Sequence, residues 1–242
     1  MRLSKTALYT YEKCPYSYYL KYIQRIPTAK SYEMERGIDF HERADKFYDQ
    51  ISLDELAQFD TLEQVQSYFE SFFPATEDVL YRNFSHIQAT HYMNLENKDE
   101  FIPVEREFKV YLDDAPDWCL DIGYIDFISQ IEGETILGEY KTGKFRQGIN
   151  QEMMFYKDLV EQGTDYKITK LCAIYPMELY GVKLPTGVYY KSPSHAKFAR
   201  AKVEKTKDAI RKGQWFKKKY NLCAWCGVAD NCFMEEVSHE LG

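Results

Sequence analysis

Apolar and polar positions change period along this chain, and the change predicts where its architecture changes. From residue 4 to about residue 94 the apolar side chains recur at helical spacing. Ser4 is a natural N-cap for a first short helix, and Cys14-Pro15 interrupts it. A second short helix carries Tyr18, Tyr19 and Tyr22 as an aromatic face. A third helix is predicted over 33–50 with Gly37, Phe40, His41 and Ala44, followed by helical segments near 54–72 and 74–94 anchored by Phe69, Phe72 and Phe73. After Pro103 the texture becomes β-rich. Runs at 104–112, 118–130 and 135–141 are separated by turn compositions, Asp113-Asp114-Ala115-Pro116 and Glu132-Gly133-Glu134, and predict an antiparallel three-stranded meander. A helix over 149–162 ending at Gly163, strands at 169–176 and 185–191, and a helix from Ser192-Pro193-Ser194 to about Lys212 complete the pattern. On that last helix Ala199, Val203, Thr206 and Ile210 form one face, and Lys197, Arg200, Lys207 and Arg211 another. The prediction is one α/β domain over 1–242, without internal repeats: a central mixed sheet of about five strands flanked by helices, with an N-terminal helical elaboration. Within it, 1–100 is mostly helical, 101–192 holds the sheet and its helix, and 193–242 holds the basic helix and a cysteine-rich tail.

Composition narrows the function classes. The 242 residues are 45% hydrophobic and 29% charged with a net charge of −7, which excludes a disordered or collagen-like chain. No apolar run approaches the ~18 residues of a spanning helix, and MRLSKTALYT lacks the apolar core of a secretory signal, so a cytoplasmic protein without a membrane partner is expected. The charge is unevenly spread: residues 1–139 hold 13 basic and 27 acidic side chains, residues 140–222 hold 18 and 7, and residues 223–242 hold 0 and 4. A basic segment of this kind suits a polyanion partner, and equally a solvated lysine surface. Three of the six cysteines fall within ten positions, at 223, 226 and 232, a clustering that points to metal. Cys119 and Cys172 lie on predicted strands and read as buried thiols.

Candidate chemistry concentrates around the sheet. Side chains alternate across a strand, so Glu139 and Lys141 share a face, Tyr140 points the other way, and Gly143 follows in a turn. Asp126 stands between Ile125 and Phe127, where an acid facing the core is expensive. Asp121, of opposite parity, reads as a surface or turn acid. His41 follows Gly37 by one helical turn, and Gln151 opens the helix after the Glu-x-Lys strand. Each feature alone also suits a cross-strand ion pair, a satisfied histidine or a capping glutamine.

Together and in this order, Gly37-x-x-x-His41, Gly123-x-x-Asp126, Glu139-x-Lys141 and Gln151 resemble the RecB-like branch of the PD-(D/E)XK nuclease superfamily. Cys14-Pro15 and Cys223-x-x-Cys226-x5-Cys232 are similar to its iron–sulfur members, the AddB-type helicase-nucleases and the CRISPR-associated Cas-four nucleases of antiviral defence with their phage relatives. The resemblance spans residues 4–232 and implies a restriction-endonuclease-like core. It implies a Mg²⁺- or Mn²⁺-dependent deoxyribonuclease, an exonuclease on single-stranded DNA with scope for endonuclease activity. His41, Asp126, Glu139 and the backbone carbonyl of Tyr140 would ligate metal, Lys141 would position water or compensate charge with a depressed pKa, and Gln151 would orient Lys141 or the substrate. Lys144 and Arg146 would contact phosphates, with the basic helix face and Lys217-Lys218-Lys219 extending a positive track. Cys14, Cys223, Cys226 and Cys232 would hold a 4Fe–4S cluster; structural zinc satisfies the same spacing. Two further readings stand beside this one: a DNA-binding or DNA-processing subunit of a recombination or CRISPR spacer-acquisition complex that needs a partner for activity, and redox sensing through the cluster; recombination or CRISPR-adaptation proteins and a second copy of the chain are the candidate protein partners. One departure is visible. Family members carry Gln-x-x-x-Tyr, whereas Gln151 is followed by Phe155, and Tyr156 is expected to pack with Met153 and Val160.

Overall fold

The computed structural model describes residues 2–73, 78–144, 149–178, 193–219, 221 and 223–232. Helix α1 spans Lys5–Lys13, with the Ser4 hydroxyl accepting from Ala7 N at 3.2 Å as the sequence predicts. Cys14 is extended, Pro15 opens the short helix α2 (Pro15–Tyr18), and the chain runs on through a π-helical turn, Tyr19–Ile23. Helix α3 (Tyr32–Asp49) is capped by Ser31 and carries Glu33 and Glu35 in its first turn, where acids suit the helix dipole. Helices α4 (Leu53–Leu56), α5 (Leu62–Glu70) and α6 (Val79–Asn94) follow, and a capping box between Thr61 and Gln64 starts α5.

The sheet then forms from β1 (Glu105–Tyr111), β2 (Ile122–Ile131), β3 (Glu134–Tyr140) and β4 (Lys170–Ile174), in that spatial order. β1, β2 and β3 are the predicted antiparallel meander, and β4 pairs parallel to β3 after a crossover through α7 (Ile149–Gly163). Glu132 and Gly133, both at positive φ, make the two-residue β2–β3 turn. The described sheet is mixed and four-stranded; the further strand expected at 185–191 lies outside the described residues. Helix α8 (Pro193–Arg211) buries Ala199, Val203 and Thr206 as predicted.

Two apolar clusters clasp the sheet. One joins α1, α7 and α8 to Ile125, Ile128 and Leu137; the other joins α3, α5 and α6 to Phe127 and Tyr140. Asp121 lies in the bend before β2, as a turn acid, and is also a tie point, accepting from Leu3 N at 2.6 Å and from Lys207 Nζ at 2.6 Å, while its own N–H donates to the Leu3 carbonyl. With the parallel bridge from Ser4 to Ile122, this seats the N-terminus against the start of β2 and aims α1 across the sheet.

Candidate active site

The strands turn over where the site forms. On β2, Ile125 joins the α7-side cluster and a methyl at Gly123 would meet Leu159 and Tyr156 of α7, yet Phe127 joins the opposite cluster. Positions two apart on a regular strand share a face, so the backbone rotates between 125 and 127. β1 does the same. Phe108 and Val110 pack on the α7 side, whereas Arg106 reaches back to α3 and donates to the Asp45 carbonyl at 2.7 Å. The pairs Arg106↔Phe127 and Phe108↔Ile125 bracket the turnover, and Glu107 inside it sits at φ 42. A left-handed glutamate is strained by roughly 1 kcal/mol or more, and such strain gathers at functional sites.

The turnover brings Glu107 and Asp126 to His41 of α3. His41 Nδ1 lies 3.2 Å from Asp126 Oδ1 and 3.6 Å from Glu107 Oε1, and the three ligand atoms all fall within 4.8 Å of one another. Burial alone would lower the imidazole pKa, but hydrogen bonds to Asp126 and Glu107 outweigh it and push it up to about 10. Burial, followed by the charge of Glu139, pushes Asp126 up to about 6. The second oxygen of Asp126 accepts from the Tyr140 backbone N–H at 2.6 Å, while the Tyr140 hydroxyl, on the far face, pairs with Tyr48 at 2.9 Å.

Glu139 is buried beside this group, and its two oxygens differ. Oε1 accepts from Lys141 Nζ at 2.7 Å and from Lys5 Nζ at 2.9 Å; Oε2 is buried without a hydrogen-bond partner among the described residues. A cluster of one imidazole and two carboxylates, with a third carboxylate in its electrostatic reach that keeps one oxygen orphaned, suits a hard divalent cation, which takes oxygen ligands and tolerates imidazole. The residues present therefore fit Mg²⁺ or Mn²⁺.

Lys141 also contacts Glu152 Oε1 at 2.5 Å, and Lys5 reaches the same atom at 2.5 Å. Burial works against the Lys141 charge, but Glu139 and Glu152 outweigh it and raise the pKa in the metal-free site; the depressed value expected from the sequence belongs to a lysine beside a bound cation. The lysine's contact with α7 thus runs through Glu152. Gln151 is half-buried, and among the described residues no hydrogen bond to its side chain is found. Tyr156 stands one turn beyond Glu152, its ring 4.5 Å from the Lys5 ammonium as well as within the core cluster of Met153 and Val160. The spacing expected of Gln-x-x-x-Tyr recurs one residue later, as Glu152-x-x-x-Tyr156.

Sequence reasoning missed Lys5, Glu107 and Glu152. The shifted spacing could have revealed Glu152, and a lysine in the first turn of a helix, against the dipole, could have flagged Lys5. Nothing in the local sequence marks Glu107. Lys144 is exposed just beyond the site, and Arg146 lies outside the described residues. The basic track is largely neutralised: Arg200 pairs with Asp158, Lys202 with Glu12, Lys207 with Asp121 and Arg211 with Asp117. Lys217 and Lys218 turn their ammoniums onto the carbonyls of Cys232 and Glu12.

Cys14, Cys223, Cys226 and Cys232 line one cavity of about 320 Å³ with Tyr16, Ser17, Leu20 and Val228. No three of these sulfurs lie within 4.8 Å of one another. Trp215, stacked on Tyr18, and the Tyr16 N–H, bonded to the Phe216 carbonyl at 3.2 Å, hold the two chain ends together beside it. Cys119 is buried and Cys172 half-buried, and loss of solvent around each sulfur pushes both thiols up to about 12. No described helix is long and apolar enough to cross a membrane.

No curated protein matches this chain. The model of the PD-(D/E)XK nuclease superfamily matches residues 2–233, nearly the whole length, and the chain belongs to that superfamily.

Proposed function

We propose that this protein is a metal-dependent deoxyribonuclease, formed by residues 1–242 as a single nuclease domain, that degrades single-stranded DNA from its ends. The observation that carries the reading is the cluster of His41, Glu107 and Asp126, whose ligand atoms lie within 4.8 Å of one another, with Glu139 near enough for its charge to act on His41 and Asp126 and its Oε2 buried without a hydrogen-bond partner among the described residues. His41, Asp126, Glu139 and the Tyr140 carbonyl would hold Mg²⁺ or Mn²⁺, with Glu107 as an added ligand. The ion supplies charge compensation for the scissile phosphate and lowers the pKa of water that it binds. Asp126 is aimed by the Tyr140 N–H and Glu139 by two ammoniums, so neither carboxylate needs to reorganise when charge develops. Lys141, held protonated by Glu139 and Glu152, orients the attacking water and offers a cation to the phosphate oxygens. Lys144 and Arg146 lie in sequence just past Gly143 and would take up the neighbouring phosphates.

Asp126→Ala, Glu139→Ala and Lys141→Ala are each expected to abolish Mn²⁺-dependent degradation of a labelled single strand, a loss of at least ~10³-fold, with unchanged circular dichroism. Glu139→Ala cleaving as fast as the parent would remove the reaction centre.

Cys14, Cys223, Cys226 and Cys232 are assigned to a 4Fe–4S cluster. The four cysteines line one cavity of about 320 Å³, which has room for a cluster as well as for a single zinc ion, and the resemblance to iron–sulfur members of the superfamily supports the cluster. Anaerobic purification is expected to yield a brown protein with iron and sulfide; a colourless protein containing zinc overturns the assignment.

A further inference from the structure

We infer that Lys5 is a positioning residue of the nuclease site, acting through Glu139 and Glu152, and that with Glu152 it forms a charge-matched pair that sets the cation affinity of Glu139. This rests on the metal-dependent reading above.

Lys5 stands far from the site in sequence and against Glu139 and Glu152 in space. Its ammonium lies 2.9 Å from Glu139 Oε1, 2.5 Å from Glu152 Oε1 and 4.5 Å from the centre of the Tyr156 ring. Lys141 reaches the same two oxygens at 2.7 and 2.5 Å. Two ammoniums and two carboxylates therefore close a ring in which each cation touches both anions. The placement opposes local preference: Lys5 opens α1, where the helix dipole disfavours a cation, and its side chain is only 16% exposed. Desolvating an ammonium is costly unless it is paired, and both of its carboxylate partners belong to the candidate site. Ser4, the Leu3–Asp121 hydrogen bonds and the bridge to Ile122 hold α1 where Lys5 can reach them.

Both lysines engage Oε1 of Glu139, which leaves Oε2 for a cation. Glu152 brings an extra negative charge into the site, and Lys5 balances it. Without Lys5, Lys141 alone would serve two carboxylates. The site would then be more negative by one charge, would hold a divalent cation more tightly, and would present Lys141 less well to water and phosphate. A residue that merely fastened α1 to the sheet would behave differently, because its loss would weaken cation binding and turnover together.

The test measures Mn²⁺ binding to the full chain by isothermal titration calorimetry, alongside turnover of a single-stranded oligonucleotide. Lys5→Met is expected to bind Mn²⁺ about tenfold more tightly while kcat falls at least about tenfold with KM little changed. Lys5→Arg, which keeps the charge, should retain the parent's Mn²⁺ affinity. Lys5→Met/Glu152→Gln, which restores the charge balance, should return the affinity toward the parent value and recover part of kcat. The inference is overturned if Lys5→Met weakens Mn²⁺ binding, leaves it unchanged, or is matched in affinity by Lys5→Arg. Should Lys5→Met not fold, Glu152→Gln alone is expected to weaken Mn²⁺ binding about tenfold, and an unchanged affinity overturns the inference. Absence of cleavage by the parent would count against the nuclease reading only, since the affinity shifts are read without substrate.

Discussion

Glu139 answers two demands with two oxygens. Oε1 takes both lysines, and Oε2 stays buried and unpartnered, an arrangement that is costly unless a cation completes it. His41 faces the same crowd of acids from the other side. Its pKa, raised to about 10 from an ordinary 6.5, means that in the metal-free protein the imidazole binds a proton more tightly when folded than when unfolded. The stability from this pairing is therefore fully present below about pH 6.5 and is lost as pH climbs toward 10. Urea midpoints measured in EDTA should fall across that window, and more steeply in the parent than in His41→Gln; equal slopes would show that the proton is held elsewhere. Of these residues, His41, Asp126, Glu139 and Lys141 were legible in the sequence because each sits in a short local motif. Glu107 was not, because its place in the site comes from a left-handed backbone that no neighbouring residue signals.

At the scale of elements, the meander and its crossover helix followed from alternation and turn chemistry. The rotation of β1 and β2 between 106/127 and 108/125 did not, since a period-2 pattern assumes a strand that keeps its faces. One element-level requirement is steric. A Cβ at Gly138 on β3 would lie 1.8 Å from the Phe127 ring, which is packed against Tyr140 with ring centres 5.0 Å apart. Gly138→Ala is expected to destabilise by about 1–3 kcal/mol, read from equilibrium urea unfolding, and to disturb Glu139 next to it. Gly37 carries no such demand: a methyl there would stand 3.6 Å from Thr142 Oγ1, ordinary contact, so Gly37→Ala should fold and bind Mn²⁺ like the parent. The motif helix was read correctly, but the glycine's spacing to His41 reflects no close approach in this structure. On α7, Glu152 rather than Gln151 meets Lys141, a one-residue shift that turns the contact face by about 100°.

Across the whole molecule, distant segments are tied by single polar contacts. Asp121 joins Leu3 to Lys207, whose side chain is only 9% exposed. Removing the carboxylate would leave a buried ammonium unpaired and the N-terminus loose. Asp121→Ala should destabilise by about 3 kcal/mol by urea unfolding and slow cleavage through displacement of Lys5. The cluster proposed for the cavity lined by Cys14 and the three C-terminal cysteines would be a second tie, since closing so long a loop restricts the unfolded chain. The charge asymmetry of the sequence has a structural use that its pattern did not reveal. The cations of α8 largely close ion pairs with acids of α1, the β1–β2 connection and α7.

Local order was determined by the sequence itself: helix caps, the proline break after Cys14, the alternating strands and the Glu-x-Lys strand end depend on neighbours within a few positions. Tertiary structure alone decided which groups share the site. The Lys5–Glu139 and His41–Asp126 contacts join residues 134 and 85 positions apart. Such contacts arise from the packing of α1 and α3 on the sheet and from a strand rotation, and spacing along the chain encodes neither.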